Sequence, residues 1–254
     1  MKVAMMQPAF LPWQGYFELL DSCDTFIFLD HFQFSLQGPQ QRNRLMVNIG
    51  QADWVTVPVL KEGSFLQPIN KTVINNAAPW REKLWRTIDY NYAKAGFFPE
   101  IGPQVQAWLF SKADNLADLN IGFIKLACRL MNICPNLLYS SKMSSQGKRS
   151  SLVLELLKAA QATHYLCARG AFGYMLEDKV FPVEDVEVLF QNYNALAYKQ
   201  VGAKGSFIPN LSVLDALFNI GPEATLDLIR KGKSHWNSWE DMLRSTATKE
   251  RSAL

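Results

Sequence analysis

The sequence predicts an α/β fold, in which a three-layer, mostly parallel sheet carries a β-hairpin insert and a helical subdomain. A strand–helix–strand unit opens the chain, because apolar runs at 2–6 and 25–29 flank the amphipathic segment 15–22. The same order returns later and another apolar run follows it, at 137–140, 150–161, 164–168 and 186–190. Units this compact usually place neighbouring strands parallel, with helices covering the sheet.

A hairpin signal follows the first unit. Two β-rich runs, 44–49 and 54–59, flank Gly50-Gln51-Ala52-Asp53, which we interpret as a four-residue turn. The segment 68–74 is expected to add a further strand.

Helical periodicity dominates the middle and the end of the chain. Apolar residues recur at three- and four-residue spacing, and Pro79 stands near the first turn of the first of these segments. The predicted helices are 79–94, 101–111, 115–132, 211–219, 222–231 and 235–245. Polar residues from Ser245 onward are expected to fray.

These elements suggest a division of the chain into three parts. Residues 1–60 and 133–232 would form the α/β core with its active-site loops. Residues 61–132 would be a helical elaboration, and 233–254 a C-terminal helix and tail.

Composition limits the classes of function. The net charge of +3 makes no case for a nucleic-acid partner by itself. No stretch approaches the roughly 20 apolar residues of a membrane helix, and we find no signal peptide. The four cysteines form no CxxC pair and lie in apolar runs, so we expect buried, reduced thiols and no zinc site; they are Cys23, Cys128, Cys134 and Cys167. The expected location is the cytoplasm.

Candidate ligand-binding residues follow the first strand. Ligands of open α/β sheets bind at the carboxyl ends of the strands, which singles out Gln7, Trp13, Gly15 and Tyr16. At a helix N-terminus, Gly15 would let the backbone approach an anion closely. The alternative is that two prolines and a glycine simply shape a turn.

The second strand ends in a possible acid–base pair. Asp30 and His31 stand side by side, and Gln33 follows two residues later. An acid beside a histidine suits a general base, and a glutamine supplies a hydrogen-bond donor. A solvated loop with a cap is the alternative.

Arg42, Asn43 and Arg44 precede the hairpin. Strand alternation would place the two arginines on one face, where they could clamp a phosphate or a carboxylate. A surface edge strand would explain the same spacing.

The loop 140–149 combines small hydroxyl residues with a glycine and three cations. Such a loop between a strand and a helix suits an anion such as a diphosphate. We take Ser141 and Lys142 as its candidate binding residues.

A polar stripe lies near the C-terminus of the chain. Ser212, Asp215 and Asn219 recur at helical spacing, opposite an apolar stripe, and Asn210 could cap this helix. Such stripes usually face solvent. Because each member is small or amide-like, we interpret this one as a buried polar seam.

These distant segments are expected to converge on one pocket. The strand ends would bring Gln7, Asp30, Arg44 and Asp215 into a single cavity at one rim of the sheet.

Taken together, the chain resembles the WbqC-like protein family, from Lys2 to about Gly232. The resemblance rests on five motifs in one order, namely MQPAFLPWQGYF, DTFIFLDHFQF, QQRNRL, WVTVPV and FIPNLSVLDALFNIG. The layout is similar to that of nucleotidylyltransferase-like α/β folds. Those folds carry an HxGH signature where this chain has Trp13-Gln14-Gly15-Tyr16, so adenylyl transfer would lack its imidazoles.

The resemblance implies a transferase that forms an amide or C–N bond. The donor would be a small amino acid such as glycine, or an acyl group. The acceptor would carry phosphate and would be an amino sugar nucleotide of surface-polysaccharide (O-antigen) biosynthesis. One alternative is transfer of an amino acid to a pyrophosphate-activated thymine base in phage DNA. A second alternative is a ligand-binding subunit without catalytic activity.

In the leading hypothesis, Asp30, with His31, accepts the proton of the attacking amine. Arg42, Arg44 and the Lys142 loop hold phosphates, while Asp215 holds the ammonium group of the donor. Polar groups are oriented by Gln7, Gln33 and Asn210. The sequence names no cofactor, although Asp30 and Asp215 could share a magnesium ion with a diphosphate. It leaves the oligomeric state and the activation of the donor open.

Overall fold

The computed structural model describes residues 1–48, 50–60, 67–203 and 205–251, the last five of these by their backbone alone. Its architecture confirms the predicted fold class. Five parallel strands form the central sheet, and two antiparallel strands form a separate hairpin. In chain order the strands are β1 (Lys2–Met6), β2 (Thr25–Phe28), β3 (Arg42–Asn48), β4 (Gln51–Thr56), β5 (Asn136–Tyr139), β6 (His164–Cys167) and β7 (Glu187–Phe190).

The central sheet has the strand order β5-β2-β1-β6-β7. The chain builds outward from β1 through β2 to β5, then returns to the other side of β1 to add β6 and β7. All four neighbouring pairs are parallel, with Met6 opposite Phe28 and Phe28 opposite Tyr139. The carboxyl ends of the strands therefore share one edge. The order reverses between β1 and β6, and such a reversal opens a crevice in α/β sheets.

Helices complete the layers. They are α1 (Gln14–Ser22), α2 (Trp80–Tyr92), α3 (Phe98–Leu109), α4 (Leu116–Leu130), α5 (Arg149–Ala159), α6 (Phe172–Asp178), α7 (Val213–Gly232) and α8 (Trp239–Arg251). Among the described residues, none of these helices combines the length and the apolar character needed to cross a membrane.

Both faces of the sheet are buried, as expected for continuous apolar strands. Ala4 and Phe26 join a large hydrophobic cluster with residues of α1, α2, α3, α4 and α7. Val3 and Ile27 point the other way, into a second cluster with residues of α5, α6 and α8. The helices of the predicted elaboration thus share one core with the sheet, while the domain boundaries themselves stay a prediction.

Several local predictions were wrong. The expected strand at 68–74 is one 3₁₀ turn, Ile69–Lys71, with isolated bridges from Val73 to Asn115 and from Ile74 to Val59. A β-rich composition indicates a strand only where a neighbouring strand is available for pairing. The hairpin turn is also shorter than predicted, because Gln51 already pairs with Asn48.

Other differences concern elements without a strong sequence signal. Helix α6 has seven residues and contains Gly173, so its periodicity was too brief to detect. The last helix continues to Arg251, beyond the point where fraying was expected. Cys134 is exposed, whereas the other three thiols are buried as predicted.

The two helices predicted at 211–219 and 222–231 form α7, which is kinked at Gly221. This glycine has a φ of 81°, in the left-handed region where a side chain is strained. A Cβ atom there would lie 2.5 Å from the ring of Phe97. The glycine is therefore required both by the turn of the backbone and by the close approach of Phe97, the residue that precedes α3.

Asp215 ties several elements together inside the protein. Its side chain is fully buried. One oxygen accepts from the hydroxyl of Tyr92 at 2.9 Å, and the other accepts from the hydroxyl of Tyr198 at 2.7 Å and from Gln200 at 3.0 Å. Burial raises the pKa of Asp215, while hydrogen bonds from Tyr198 and Gln200 oppose that rise. The predicted buried seam is confirmed, and its carboxylate is occupied by donors of the chain itself.

We predict that Asp215→Ala destabilises the protein by about 3–5 kcal/mol, because it leaves buried donors without an acceptor. Urea unfolding measures this loss. Tyr198→Phe, which removes a single donor, should cost about 1–3 kcal/mol. Equal stability of Asp215→Ala and wild type would contradict the role of Asp215 as a structural hub.

Candidate functional site

Two cavities lie at the carboxyl edge of the sheet, on either side of Met6. The first, here called the switch-point cavity, has a volume of about 380 Å³. It opens between the ends of β1 and β6, where the strand order reverses. Its walls include Met6, Gln7, Leu29, Arg149, Tyr165 and Tyr174. A mostly apolar cavity with a few polar groups at a topological switch point is the expected ligand site of this fold class.

Two polar side chains of the switch-point cavity are held by their neighbours. Arg149 forms ion pairs of 3.1 Å with Glu177 and with Asp178, which join the start of α5 to the end of α6. Burial raises the pKa of Tyr174 to about 12, so its hydroxyl stays protonated near neutral pH. The cavity therefore offers hydrogen-bonding groups and carries little uncompensated charge.

The second cavity, here called the aromatic cavity, has a volume of about 370 Å³. It lies between the loop after β1 and the hairpin, and Met6 lines it as well. The structure brings five predicted site residues together in its walls, namely Trp13, Tyr16, Arg42, Asn43 and Asn210. Trp54 of β4 completes it, with its ring centroid 4.5 Å from the guanidinium carbon of Arg42.

Gln7 follows Met6 in the wall of the switch-point cavity and is fixed by a chain of amides. Its side-chain oxygen accepts a hydrogen bond from the side-chain nitrogen of Gln40. The oxygen of Gln40 accepts from the backbone of Ser35 at 2.7 Å. Buried Asn120 in α4 donates to the carbonyl of Pro8 at 2.9 Å and to the carbonyl of Gln40 at 2.8 Å. Asn120 thus joins the loop that carries Gln7 to the loop that carries Gln40.

Gly15 has a different role from the predicted one. A Cβ atom there would lie 2.3 Å from the indole of Trp13, so the glycine makes room for that ring rather than for an anion. Its carbonyl accepts from buried Gln191 at 2.7 Å. Tyr16 is buried and donates to the carbonyl of Gln7 at 3.2 Å, so it supports the loop as well as lining the cavity.

Asp30 and His31 meet the end of the neighbouring strand β5. Asp30 is 6% exposed. Its oxygens accept from the hydroxyl of Ser140 at 3.1 Å and from the hydroxyl of Ser141 at 2.6 Å. The Nδ1 atom of His31 lies 2.6 Å from the Ser140 oxygen. The hydroxyl of Ser140 thus lies within hydrogen-bond reach of both Nδ1 of His31 and a carboxylate oxygen of Asp30, and it has one proton to donate.

His31 does not itself line the switch-point cavity, but its neighbours in the sequence do. Leu29 and Phe32, on either side of the pair Asp30-His31, both line that cavity. Gln33 is exposed, and its carbonyl accepts from Gln40 at 3.3 Å. The structure therefore places Asp30 and His31 at the carboxyl edge as predicted, with Gln33 on the surface.

The loop after β5 differs from the predicted anion site. Two backbone amides that could hold an anion, those of Gln146 and Gly147, donate to Glu155 at 2.8 and 3.1 Å. These bonds lower the pKa of Glu155. Lys142 lies with its ammonium nitrogen 4.8 Å from the ring centroid of Tyr139. The loop binds a carboxylate, but it is a carboxylate of the same chain.

Arg42 and Arg44 share a face of β3 as predicted, since Arg42 stacks on Trp54, the residue paired with Arg44, but they do not line one cavity. Arg44 lines a different cavity, beside the hairpin turn, and its guanidinium lies 3.5 Å from the carbonyl of Pro209. The expected single pocket is also absent from the described part of the chain, since Gln7 and Arg44 line separate cavities and Asp215 is enclosed among its donors. The carboxyl edge holds two adjoining cavities instead.

The start of α7 is capped by Ser212, not by Asn210 as predicted. The buried hydroxyl of Ser212 accepts from the backbone of Leu214 at 3.2 Å. Asn210 has a φ of 58° and stands exposed at the rim of the aromatic cavity. Asn219 donates to Asp215 and accepts from the backbone of Val201 at 2.6 Å, so it belongs to the buried seam.

Comparison with known proteins gives one family. The model of the WbqC-like protein family matches residues 7–227, from the end of β1 into α7. This chain belongs to the WbqC-like protein family. It is 33% identical over 225 residues to the uncharacterized protein Rv1507c of Mycobacterium tuberculosis (strain ATCC 25618 / H37Rv), covering 88% of this chain and 95% of the relative. No solved structure matches the chain.

The arrangement of acidic side chains in this WbqC-like protein does not support a magnesium ion shared by Asp30 and Asp215. The described residues include no group of three or more His, Cys, Asp or Glu side chains placed to hold a metal ion. Asp30 and Asp215 accept hydrogen bonds from different sets of neighbours, so they do not form a shared ligand set.

Several residues of the WbqC-like site were missed from the sequence. Trp54 and Arg149 belong to segments that the sequence had singled out, so their motifs were the available signal. Tyr174 lies on the undetected helix α6. Asn120 is one polar residue within an amphipathic helix, and no local pattern distinguishes it from a solvent-facing residue.

We predict that Gly15→Ala destabilises the protein by about 1–3 kcal/mol, because the added methyl group displaces the indole of Trp13. Urea unfolding and tryptophan emission measure the change. Gly173→Ala is a matched control, since no atom lies within 4 Å of a Cβ there and the site is helical. The control should gain about 0.5–1 kcal/mol. Wild-type stability and emission of Gly15→Ala would contradict the packing described.

Proposed function

We propose that this protein is a transferase that forms an amide or C–N bond between a small amino acid or acyl donor and a phosphate-bearing acceptor. The observation that supports the proposal is the pair of adjoining cavities, which share Met6 and lie beside the fixed side chain of Gln7. A reaction between two substrates needs their reacting groups side by side, and holding them so supplies much of the rate gain.

The general base in this proposal is His31. The proposal assigns Nδ1 as the donor to Ser140 and Ser140 as the donor to buried Asp30, which holds the imidazole in one tautomer and leaves Nε2 to accept a proton. Asp30 acts as a positioning residue, because its two oxygens already accept from Ser140 and Ser141. Its charge also stabilises the imidazolium that forms.

The proposed reaction is attack of an amine on an activated donor. The acceptor's amine attacks the carbonyl carbon of an activated donor, a C–N bond forms, and Nε2 of His31 takes the proton of the amine. The carbonyl re-forms as the leaving group departs with the electron pair. A base of this kind typically contributes about 10²–10⁴-fold in rate.

The acceptor we favour is an amino sugar nucleotide of surface-polysaccharide synthesis. Support comes from the family membership and from the two adjoining cavities, which lie at the sheet edge where doubly wound folds bind their ligands.

A second candidate acceptor is a pyrophosphate-activated thymine base in DNA. The aromatic cavity favours it, because Trp13 and Trp54 supply flat walls in a volume of about 370 Å³. Here the amine of the amino acid would displace pyrophosphate.

The test is incorporation of radiolabelled glycine, supplied as an activated glycyl donor, into amino sugar nucleotides. Separate reactions contain free glycine with DNA that carries the activated base. We expect product with the sugar nucleotides, and His31→Gln should lower kcat about 10²–10⁴-fold with a small change in KM. Product with DNA alone would replace the first acceptor by the second. No product with any acceptor would favour a ligand-binding subunit.

Asp30→Asn distinguishes positioning from direct catalysis. We expect a lower kcat with a small change in KM, because the imidazole loses the group that orients it. Ser140→Ala should lower kcat in the same way, and thermal unfolding of both variants shows whether the fold is intact. A kcat equal to wild type in both variants would show that the chain from His31 to Asp30 has no part in turnover.

A further inference from the structure

The aromatic cavity contains a cation without a counterion. Arg42 stacks over Trp54, and its Nε atom is buried without a hydrogen-bond partner. Within the described part of the chain, the guanidinium has no ion pair, and no residue that lines the cavity is acidic. A buried polar atom without a partner is costly, and a cation without a counterion beside an open cavity is a group that an anionic ligand can neutralise.

Arg149, in the neighbouring cavity, gives the contrast. It also lines a ligand-sized space, but Glu177 and Asp178 both pair with it at 3.1 Å. Its charge is therefore largely compensated within the protein. Of the two arginines, Arg42 is the one without an ion-pair partner among the described residues.

The geometry around Arg42 suits an oxyanion. A guanidinium stacked on an indole has its planar face covered, and in Arg42 the Nε atom is buried as well. The two Nη groups, to which no described residue is hydrogen-bonded, remain to donate in parallel to two oxygens of one anion. The neighbouring Asn43 would not donate to the anion, because its amide nitrogen already donates to the carbonyl of Leu11 at 2.7 Å. The apolar walls formed by Trp13, Pro12 and Pro39 lower the local dielectric and strengthen the contact.

We propose that the aromatic cavity is an oxyanion subsite in which Arg42 binds the phosphate of the acceptor. The assignment of phosphate to the acceptor rests on the proposed function, whereas the oxyanion chemistry rests on the cavity alone. The switch-point cavity then holds the uncharged part of a substrate, and the bond forms beside Met6 and Gln7, where the two cavities adjoin.

Calorimetric titration with inorganic pyrophosphate tests the subsite without turnover. Wild type should bind, and Arg42→Ala should weaken binding by about tenfold to a hundredfold, as for a lost charge-assisted hydrogen bond. Arg42→Lys should bind better than Arg42→Ala, since it keeps the charge but loses the parallel donors. Arg44→Ala is the matched control on the same strand, because Arg44 lines a different cavity, and it should bind as wild type does.

Thermal unfolding of each variant shows whether the fold is intact, and Trp54→Phe gives an independent test. It keeps Arg42 but weakens its stacking platform, so pyrophosphate affinity should fall by a few-fold. Equal affinities of wild type and both Arg42 variants would overturn the subsite. An Arg42 effect on titration with free glycine but not with pyrophosphate would overturn the phosphate assignment.

Failure of the oxyanion subsite and failure of the transferase proposal give different experimental results. If pyrophosphate binding depends on Arg42 but no acceptor gives product, the transferase proposal fails and the subsite remains. If transfer proceeds equally well in wild type and Arg42→Ala, the subsite fails and the transferase proposal remains.

Discussion

The geometry of the carboxyl edge depends on buried Asn120. Its amide nitrogen donates to the carbonyls of Pro8 and Gln40, which belong to two loops far apart in sequence. Gln40 in turn fixes Gln7, which lines the switch-point cavity next to Met6. Without this bridge two buried carbonyls would lose their donor, a loss of about 1–3 kcal/mol for each group left unsatisfied. The site is therefore shaped by the core beneath it, and the helices predicted as an elaboration hold the loops of the sheet in place.

The strand order explains why two cavities form where one was expected. Loops after β1 and β6 turn away from each other at the reversal point, and the helices on the two faces cover different sides of the edge. Met6, at the end of the central strand, is left between them and contacts both spaces. The hairpin then closes the second space with Trp54 and Arg42, since it is joined to the loop after β1 through Asn43. A central strand with a cavity on each side suits a reaction that joins two substrates.

The sequence predicted most of the sheet, because strands buried on both faces are short, continuous apolar runs that few other elements imitate. Individual roles were harder to predict. Gly15 resembles a glycine of an anion-binding turn, and only the position of the Trp13 ring shows that the glycine accommodates an indole. Asp215 was correctly placed in a buried seam, but its donors, Tyr92 and Tyr198, come from remote segments that no local pattern connects with it. Contacts between distant segments depend on tertiary packing, which periodicity does not encode.

The hydrogen-bond partners of the charged side chains indicate which charge the ligand carries. The carboxylates that the sequence offered as a general base and as an ammonium site accept hydrogen bonds from the chain itself, as Asp30 does from two serines and Asp215 from two tyrosines. Their acceptor capacity is largely used, so they are poor partners for an ammonium group. Arg42 is in the opposite state, with a buried Nε that the described residues leave unpaired. Since desolvating a guanidinium without a partner is costly, a site built in this way selects for negative charge in the ligand, whichever substrate carries it.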